Sequence, residues 1–149
     1  MANHVSSIIA NAKSLAATEL GATWHELKYA FELEKNDSRI SAKGYSVIPL
    51  SADPVDTVLR SYSLQHGFQL ILSDTIARGA GDAEVFTVLG TLYDKADEIF
   101  KDYAGLLLNL AGTVIRVFDP SLGEPEFFND RETVVLRMNF NVLYRQNIS

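Results

Sequence analysis

The stretch TVVLRMNFNVLYRQ, from Thr133 to Gln146, decides the fold that we expect for this chain. Its apolar side chains fall at every second position, and they are Val134, Leu136, Met138, Phe140, Val142 and Tyr144. A period of two indicates a β-strand with one face on a hydrophobic core, because successive side chains point to opposite sides of a sheet. At about 3.3 Å per residue this strand would extend for roughly 43 Å, whereas the usual strand has about five or six residues.

The other face of this strand is predicted to be a contact surface. It mixes arginine and asparagine with the aliphatic residues Val135 and Leu143, and contacts between proteins combine the same groups. A strand longer than its domain would also offer unpaired backbone groups to a neighbour. We expect a subunit or tube contact through Arg137, Asn139, Asn141, Arg145, Gln65 and Gln69. The plain alternative is that the long strands simply curl within a twisted sheet.

Several further segments have strand patterns. Alternation predicts a second long strand from about Leu59 to Ser73, in which Gly67 indicates a bulge or the close approach of a neighbouring backbone. Shorter strands are predicted at 27–33, 45–50 and 113–118, and breaks or turns at 36–44, 51–56 and 119–125. Pro49 indicates that its strand lies at a sheet edge or ends there.

Two segments have helical spacing instead. The first begins near Val5 and stops near Gly21, and the second carries an apolar stripe from Val85 to Tyr103 with Asp82 as a candidate N-cap. Strands in runs with segregated helices predict an α+β fold. We expect one domain over 1–149, in which an N-terminal helix and one long central helix pack a largely antiparallel twisted sheet of about five strands.

Composition excludes several classes of function. The net charge of −6 argues against a protein that binds nucleic acid by neutralising phosphates. The chain has no cysteine, which removes disulfides and thiolate catalysis. The first residues do not read as a signal peptide, and no apolar run approaches the length of a membrane span. We therefore expect a soluble protein that is intracellular where it is made and has no membrane partner.

Motifs for chemistry are missing from the sequence. The three histidines lack metal-type spacing, and no G-x-S-x-G elbow is present. The GAGD stretch before the long helix lacks a third glycine and the Lys-Ser/Thr pair of a phosphate loop, so we interpret it as a turn. We expect no catalytic residue, cofactor or metal, and no enzymatic activity.

The order of these elements resembles the tail terminator proteins of tailed bacteriophages, also called tail completion or neck proteins. The resemblance covers nearly the whole chain. The pieces that carry it are the N-terminal helix, WHELKYAFELEKN with the loop after it, VLRSYSLQHGFQLILSD, the helix AEVFTVLGTLYDKADEIFKDY, TVIRVFDPSLGEPEFFNDRETVVLRMNF and the final NVLYRQ.

The resemblance implies a structural virion protein rather than an enzyme. Members of the family form a ring, usually a hexamer, that caps the head-proximal end of the tail tube and ends tube polymerisation. The ring joins the tail to the head, so the implied partners are further copies of the chain, the tail tube protein and a head-completion or connector protein. The implied location is the tail-neck region of the virion, after assembly in the host cytoplasm.

The resemblance also implies that DNA passes through the ring without specific binding. An acidic lumen would keep contacts with phosphates few. Two groups of residues are candidates for such a lining: Asp94, Asp97, Glu98 and Asp102 on the long helix, and Glu32, Glu34 and Asp37 near the first predicted strand.

Two other functions remain open at this point. One is a small dimeric α+β enzyme or ligand-binding protein with a pocket between the sheet and the long helix, in which Tyr29, His66, Tyr93 and Arg116 would be the polar groups. The other is a different ring component of the head-tail connector. A measurement of mass in solution separates the dimer from a ring.

Overall fold

The computed structural model describes residues 4–28, 30–31, 43–58, 61–106, 108, 113–128 and 132–147. The helices are α1 (His4–Leu20) and α2 (Asp82–Leu106). The strands are β1 (His25–Glu26), β2 (Gly44–Val58), β3 (Ser61–Thr75), β4 (Val114–Leu122), β5 (Glu126–Phe128) and β6 (Thr133–Asn147). They form one sheet in the order β1-β2-β3-β6-β4, and β5 also pairs with β6. The β1–β2 pair is parallel and the others are antiparallel, so the α+β prediction is confirmed.

Strand β6 is the middle of this sheet. It pairs with β3 in an unbroken register, from Thr75 opposite Thr133 to Ser61 opposite Asn147. Its other edge is covered by β5 near the start and by β4 further along, and the N–H of Gly123 donates to the carbonyl of Arg137 between them. The predicted long strand is confirmed. The expectation that it offers unpaired backbone is wrong, because β6 has neighbours on both edges.

Both helices pack on one side of the sheet, and the main core lies between. All six apolar side chains of the β6 alternation are buried in it, as the period of two predicts. The Phe140 ring lies at its centre, with ring centroids 5.1 Å from Tyr103 of α2 and 5.9 Å from Phe68 of β3. Helix α1 adds small and aliphatic residues, among them Ile8 and Ala12.

Strand β2 is longer than predicted, because two register shifts carry it through the expected break at 51–56. At the first shift, Leu50 and Ser51 lie opposite the single residue Gly67 of β3. The predicted bulge is confirmed, with the extra residue on β2. The atom nearest a Cβ added to Gly67 belongs to a side chain, the Cβ of Leu50 at 3.3 Å, and not to a neighbouring backbone. Pro49 lies beyond β1, on a part of the β2 edge that no strand of the described ranges pairs.

The strand predicted at 27–33 is not formed in the residues that the structure describes there. Strand β1 ends at Glu26, and Lys28, Ala30 and Phe31 lie in a turn. The N–H of Leu27 donates to the carbonyl of Tyr45, and the Leu27 side chain is buried against the sheet. Of the apolar residues that suggested the strand, Leu27 is buried and Phe31 is 75% exposed, so the two do not share a buried face.

Two boundaries also differ from the predictions. Strand β4 continues into the turn expected at 119–125, because a bulge at Asp119, which has a positive φ of 56°, bends the chain without ending the pairing. Helix α2 begins at Asp82, but the carbonyl of Gly81 accepts from the N–H groups of Glu84 and Val85. Gly81 therefore caps the helix in place of the predicted Asp82.

Candidate assembly surface

The sheet has two unlike sides. We call the side that α1 and α2 cover the helix face and the opposite side the far face; on β6 the far face carries the odd-numbered residues from Val135 to Arg145. One end of the far face has a small apolar cluster of Leu27, Ile48, Ile71 and Val135. Val135 is 1% exposed, so it belongs to this cluster rather than to the predicted contact surface. The rest of the far face is polar.

A chain of hydrogen bonds crosses the polar part of the far face. Arg137 Nε donates to Glu126 Oε1 at 2.6 Å, and Arg137 Nη1 donates to Gln69 Oε1 at 2.8 Å. Gln69 Nε2 then donates to Asn139 Oδ1 at 2.8 Å. Three of the six predicted contact residues are thus brought together by partners within the chain. Such half-exposed bonds add little stability, but they hold the side chains in one orientation.

A groove of about 300 Å³ opens on the far face beside this chain of bonds. It lies between the bulges of β2 and β4, and both bulges turn side chains toward it. Its lining includes Leu50, Ser51, Asp53, Gln65, Gly67, Asp119, Ser121, Asn139 and Asn141. Gln65, Asn139 and Asn141 were predicted from the sequence. The two aspartates were missed, because nothing in the local pattern places β2 and β4 on either side of the β3–β6 pair.

Two arginines lie further along the far face, outside the groove lining. Arg145, from the predicted set, lies opposite Ser63 near the end of β6 and is exposed. Arg116 lies opposite Leu143, with its guanidinium carbon 4.9 Å from the ring centroid of Phe118. This geometry is that of a cation–π contact. Arg116 is level with Gln65 and Asp53 across the sheet, so the far face carries arginines beside the carboxylates of the groove.

The acidic side of α2 contains two ion pairs within the helix. Lys101 Nζ lies 3.0 Å from Asp97 Oδ2, and Lys95 Nζ lies 3.8 Å from Glu98 Oε2. These lysines offset part of the negative charge that the sequence places there. Asp94 is exposed and Asp102 is half-buried.

Helix α1 adds a carboxylate to this acidic side. Hydrogen bonds to the side chains of Glu98 and Asp102 raise the pKa of Glu19. Burial and repulsion by the two neighbouring carboxylates add to this effect. The sequence gives no hint of the contact, because Glu19 is far away along the chain. The second acidic group, Glu32, Glu34 and Asp37, lies outside the described residues. Which residues face a lumen therefore stays a prediction.

His66 belongs to the core rather than to a ligand pocket. Its Nε2 lies 3.0 Å from the carbonyl of Leu50, which can only accept, so this nitrogen carries the proton. The Tyr144 hydroxyl, 3.1 Å from Nδ1, then donates to that nitrogen. Burial lowers the pKa of His66, and the ring is neutral at pH 7.

The residues of the enzyme alternative do not converge. His66 is on the helix face, opposite Val142, whereas Arg116 is on the far face, opposite Leu143. Tyr93 is half-buried on α2, and Tyr29 lies outside the described residues. A pocket between the sheet and the long helix that uses His66 and Arg116 together is therefore wrong.

Two further features are absent from the described residues. No group of three or more His, Cys, Asp or Glu in those ranges is placed to hold a metal ion. Neither described helix is both long and apolar enough to cross a bilayer.

No protein-family model matches the sequence, and no curated protein matches it. Among solved structures, the chain is similar to a chain in the virion of a native gene transfer agent particle. The TM-score is 0.58 at 10% sequence identity, and the likeness covers 98% of this chain and 100% of that chain. Because the identity is only 10%, the comparison shows a shared fold and no more, and this shared fold covers nearly all of both chains.

Proposed function

We propose that this protein is a structural component of a phage-type virion and that it forms a ring, a hexamer as in the tail terminator family, at the head-proximal end of the tail tube. The ring ends tube polymerisation and joins the tail to the head. The observation that carries the proposal is the whole-length likeness to a chain of a gene transfer agent virion. The order of elements that resembles tail terminators supports the finer assignment.

The surface of the chain supports assembly. A ring built head to tail needs two different patches that fit one another. The polar far face offers one patch. Helix α2, on the other side of the sheet, offers a second, where Phe86 is 67% exposed and Leu106 is 53% exposed. Aromatic residues are enriched in contacts between proteins, so Phe86 is one candidate contact residue.

The open edges of the sheet, formed by β4 and by β2 beyond β1, argue against assembly by strand addition. Strand β2 contains Pro49 and Pro54, and strand β4 contains Pro120. Proline has no N–H to donate to a neighbouring strand, and the bulges beside these prolines bend the edges further. Contacts between subunits are therefore assigned to the faces of the sheet and to the helices.

The proposed partners are other copies of this chain, the tail tube protein and a head-completion or connector protein. DNA passes through the lumen without specific binding. The negative net charge supports this part, because a lining of carboxylates repels phosphate. Asp94, Asp97, Glu98 and Asp102 remain the candidate lining within the described residues. We assign no catalysis and no cofactor to this role.

The test combines mass in solution with electron microscopy of the purified protein, alone and with tube protein. We expect rings with a central hole, or monomers that form rings at the ends of tubes, and tubes that stop growing when the protein is added. A protein that stays monomeric or dimeric and leaves tube growth unchanged would contradict the proposal. Rings that bind a head connector but never a tube would instead identify the other connector class.

A further inference from the structure

We propose that the groove on the far face binds an arginine residue of a partner protein, with Asp53 and Asp119 as its charged walls. The nature of that partner, a neighbouring subunit or virion protein, rests on the proposed function. The chemistry of the groove does not, because it follows from the residues that line it.

The two aspartates lie on opposite sides of the groove. Asp53 is on β2, opposite Gln65 of β3, and Asp119 is at the bulge of β4 beyond β6. Three strand spacings separate β2 from β4, which is roughly 14 Å between their backbones. Asp53 is level with Leu143 of β6 and Asp119 with Phe140, so the two side chains lie at opposite corners of the groove. A guanidinium is flat and carries N–H donors on several edges, so it can meet acceptors from both sides.

The floor of the groove is open at Gly67. A Cβ at this position would lie 3.6 Å from Asn141 Oδ1, so this amide oxygen lies over the floor. An acceptor is therefore available beneath the two carboxylates. A side chain on residue 67 would occupy the space that the ligand needs.

One donor of the groove is oriented by the chain of hydrogen bonds. Asn139 Oδ1 already accepts from Gln69 Nε2, which leaves the Asn139 NH₂ group to donate. Arg137 fixes this direction, since it donates to Gln69 Oε1. The groove thus offers acceptors for a guanidinium and a donor for a backbone carbonyl, and an arginine within a peptide supplies both.

The charge of the groove is not balanced within the described part of the chain. Neither Asp53 nor Asp119 forms an ion pair with a residue of those ranges. Leu50, 40% exposed, adds an apolar portion to the wall. A guanidinium is more weakly hydrated than an ammonium and packs on apolar groups, so the groove favours arginine over lysine.

The test titrates the ¹⁵N-labelled full chain with the capped tripeptide Gly-Arg-Gly and with its Gly-Lys-Gly and Gly-Gln-Gly counterparts. The side-chain amide signals of Gln65, Asn139 and Asn141 report directly from the groove. We expect saturable shifts with the arginine peptide, weaker binding of the lysine peptide and no saturable shift with the glutamine peptide. Equal responses to the arginine and glutamine peptides, or to the arginine and lysine peptides, would overturn the assignment.

Variants locate the binding. The double variant Asp53→Asn, Asp119→Asn should weaken binding of the arginine peptide at least tenfold. The double variant Asp94→Asn, Asp97→Asn removes the same charge from α2 and should leave binding unchanged. If the two double variants weaken binding equally, only net charge matters and the groove assignment is wrong.

Gly67→Ala tests the floor without altering any charge. The added methyl group would fill part of the groove, and the 3.3 Å contact with Leu50 requires a small local shift. We expect binding to be lost while the backbone amide spectrum away from the groove is retained. Full binding by this variant would contradict the proposal.

The two proposals fail independently. Rings that form normally while the peptide does not bind would remove the groove assignment and leave the proposed function standing. Specific peptide binding by a protein that forms no rings would remove the proposed function and leave the groove assignment standing.

Discussion

The hydroxyl of Tyr103 donates a hydrogen bond of 2.8 Å to the backbone carbonyl of Ala12 and so joins α2 to α1 inside the core. Both residues are fully buried. Burial raises the pKa of Tyr103, so the phenol keeps its proton and remains a donor at any pH at which the protein is used.

Tyr103→Phe should therefore lower the free energy of unfolding by about 1 kcal/mol, the usual net value of one buried hydrogen bond. The ring stays, so its packing on Phe140 is retained. Urea denaturation followed by circular dichroism measures the change. Tyr93→Phe is the matched control, because Tyr93 forms no hydrogen bond with the described residues. Equal losses from both variants would show that the bond to Ala12 contributes nothing.

The neutral state of His66 makes stability depend on pH. Burial lowers the folded-state pKa of His66 below its ordinary value of 6.5, so the unfolded chain binds a proton more readily than the folded chain. This contribution to stability is complete above pH 6.5 and is lost as the pH falls from there toward the folded-state pKa. We expect the urea midpoint to drop between pH 7.5 and pH 5.5.

His66→Gln removes this titration and keeps an N–H group that can donate to Leu50. It should lower the midpoint at pH 7.5 but flatten its dependence on pH. His25→Gln changes an exposed histidine and should leave the slope as it is in the original chain. The prediction fails if the His66 variant retains the full slope. Burial raises the pKa of Asp74, so the contribution of Asp74 to stability increases as the pH falls, opposite to that of His66. The original chain and both variants keep Asp74, so this contribution cancels when their slopes are compared.

The crowded carboxylates between the helices predict a stabilising substitution. Glu19→Gln removes one of three like charges and can still form a hydrogen bond with Glu98 or Asp102. We expect a higher melting temperature at pH 7 and low salt. The gain should shrink in high salt, which screens exposed charges, and at lower pH, where Glu19 takes up a proton because its pKa is raised.

The matched control is Glu84→Gln, which removes an exposed carboxylate from the first turn of α2. That change should lower the melting temperature slightly, because a negative charge is favourable at a helix N-terminus. An increase of the same size in both variants would show that net charge, and not the contact with Glu98 and Asp102, is responsible.

Removal of residues 139–149 should abolish folding rather than a surface contact alone. The deleted part of β6 pairs with β3 on one edge and β4 on the other and includes the central Phe140. We expect the truncated chain to lose its cooperative unfolding transition. A cooperative transition in that chain would show that the β6 pairing is dispensable. Tests of assembly therefore need surface changes such as Arg145→Glu, which leaves the core intact.

The sequence by itself determined the features that depend on neighbouring residues. The period of two along 134–144 assigns the buried face of β6, because alternation is a local property of an extended chain. The stripe of apolar residues predicts helix α2 in the same way. Gly67 indicates a bulge, because a glycine within a strand lacks a side chain to pack.

Tertiary structure decided what depends on register between distant segments. Only the pairing order shows that β6 is central and that its edges are covered. Asp53 and Asp119 are separated by long stretches of chain, and they meet around one groove because β2 and β4 flank the β3–β6 pair with a bulge each. Arg137 was predicted as a contact residue, and only the structure shows that it is bound to Glu126 and Gln69 within the chain. A local pattern predicts the face of the sheet on which a side chain lies, whereas the pairing of distant strands determines which residues that side chain contacts.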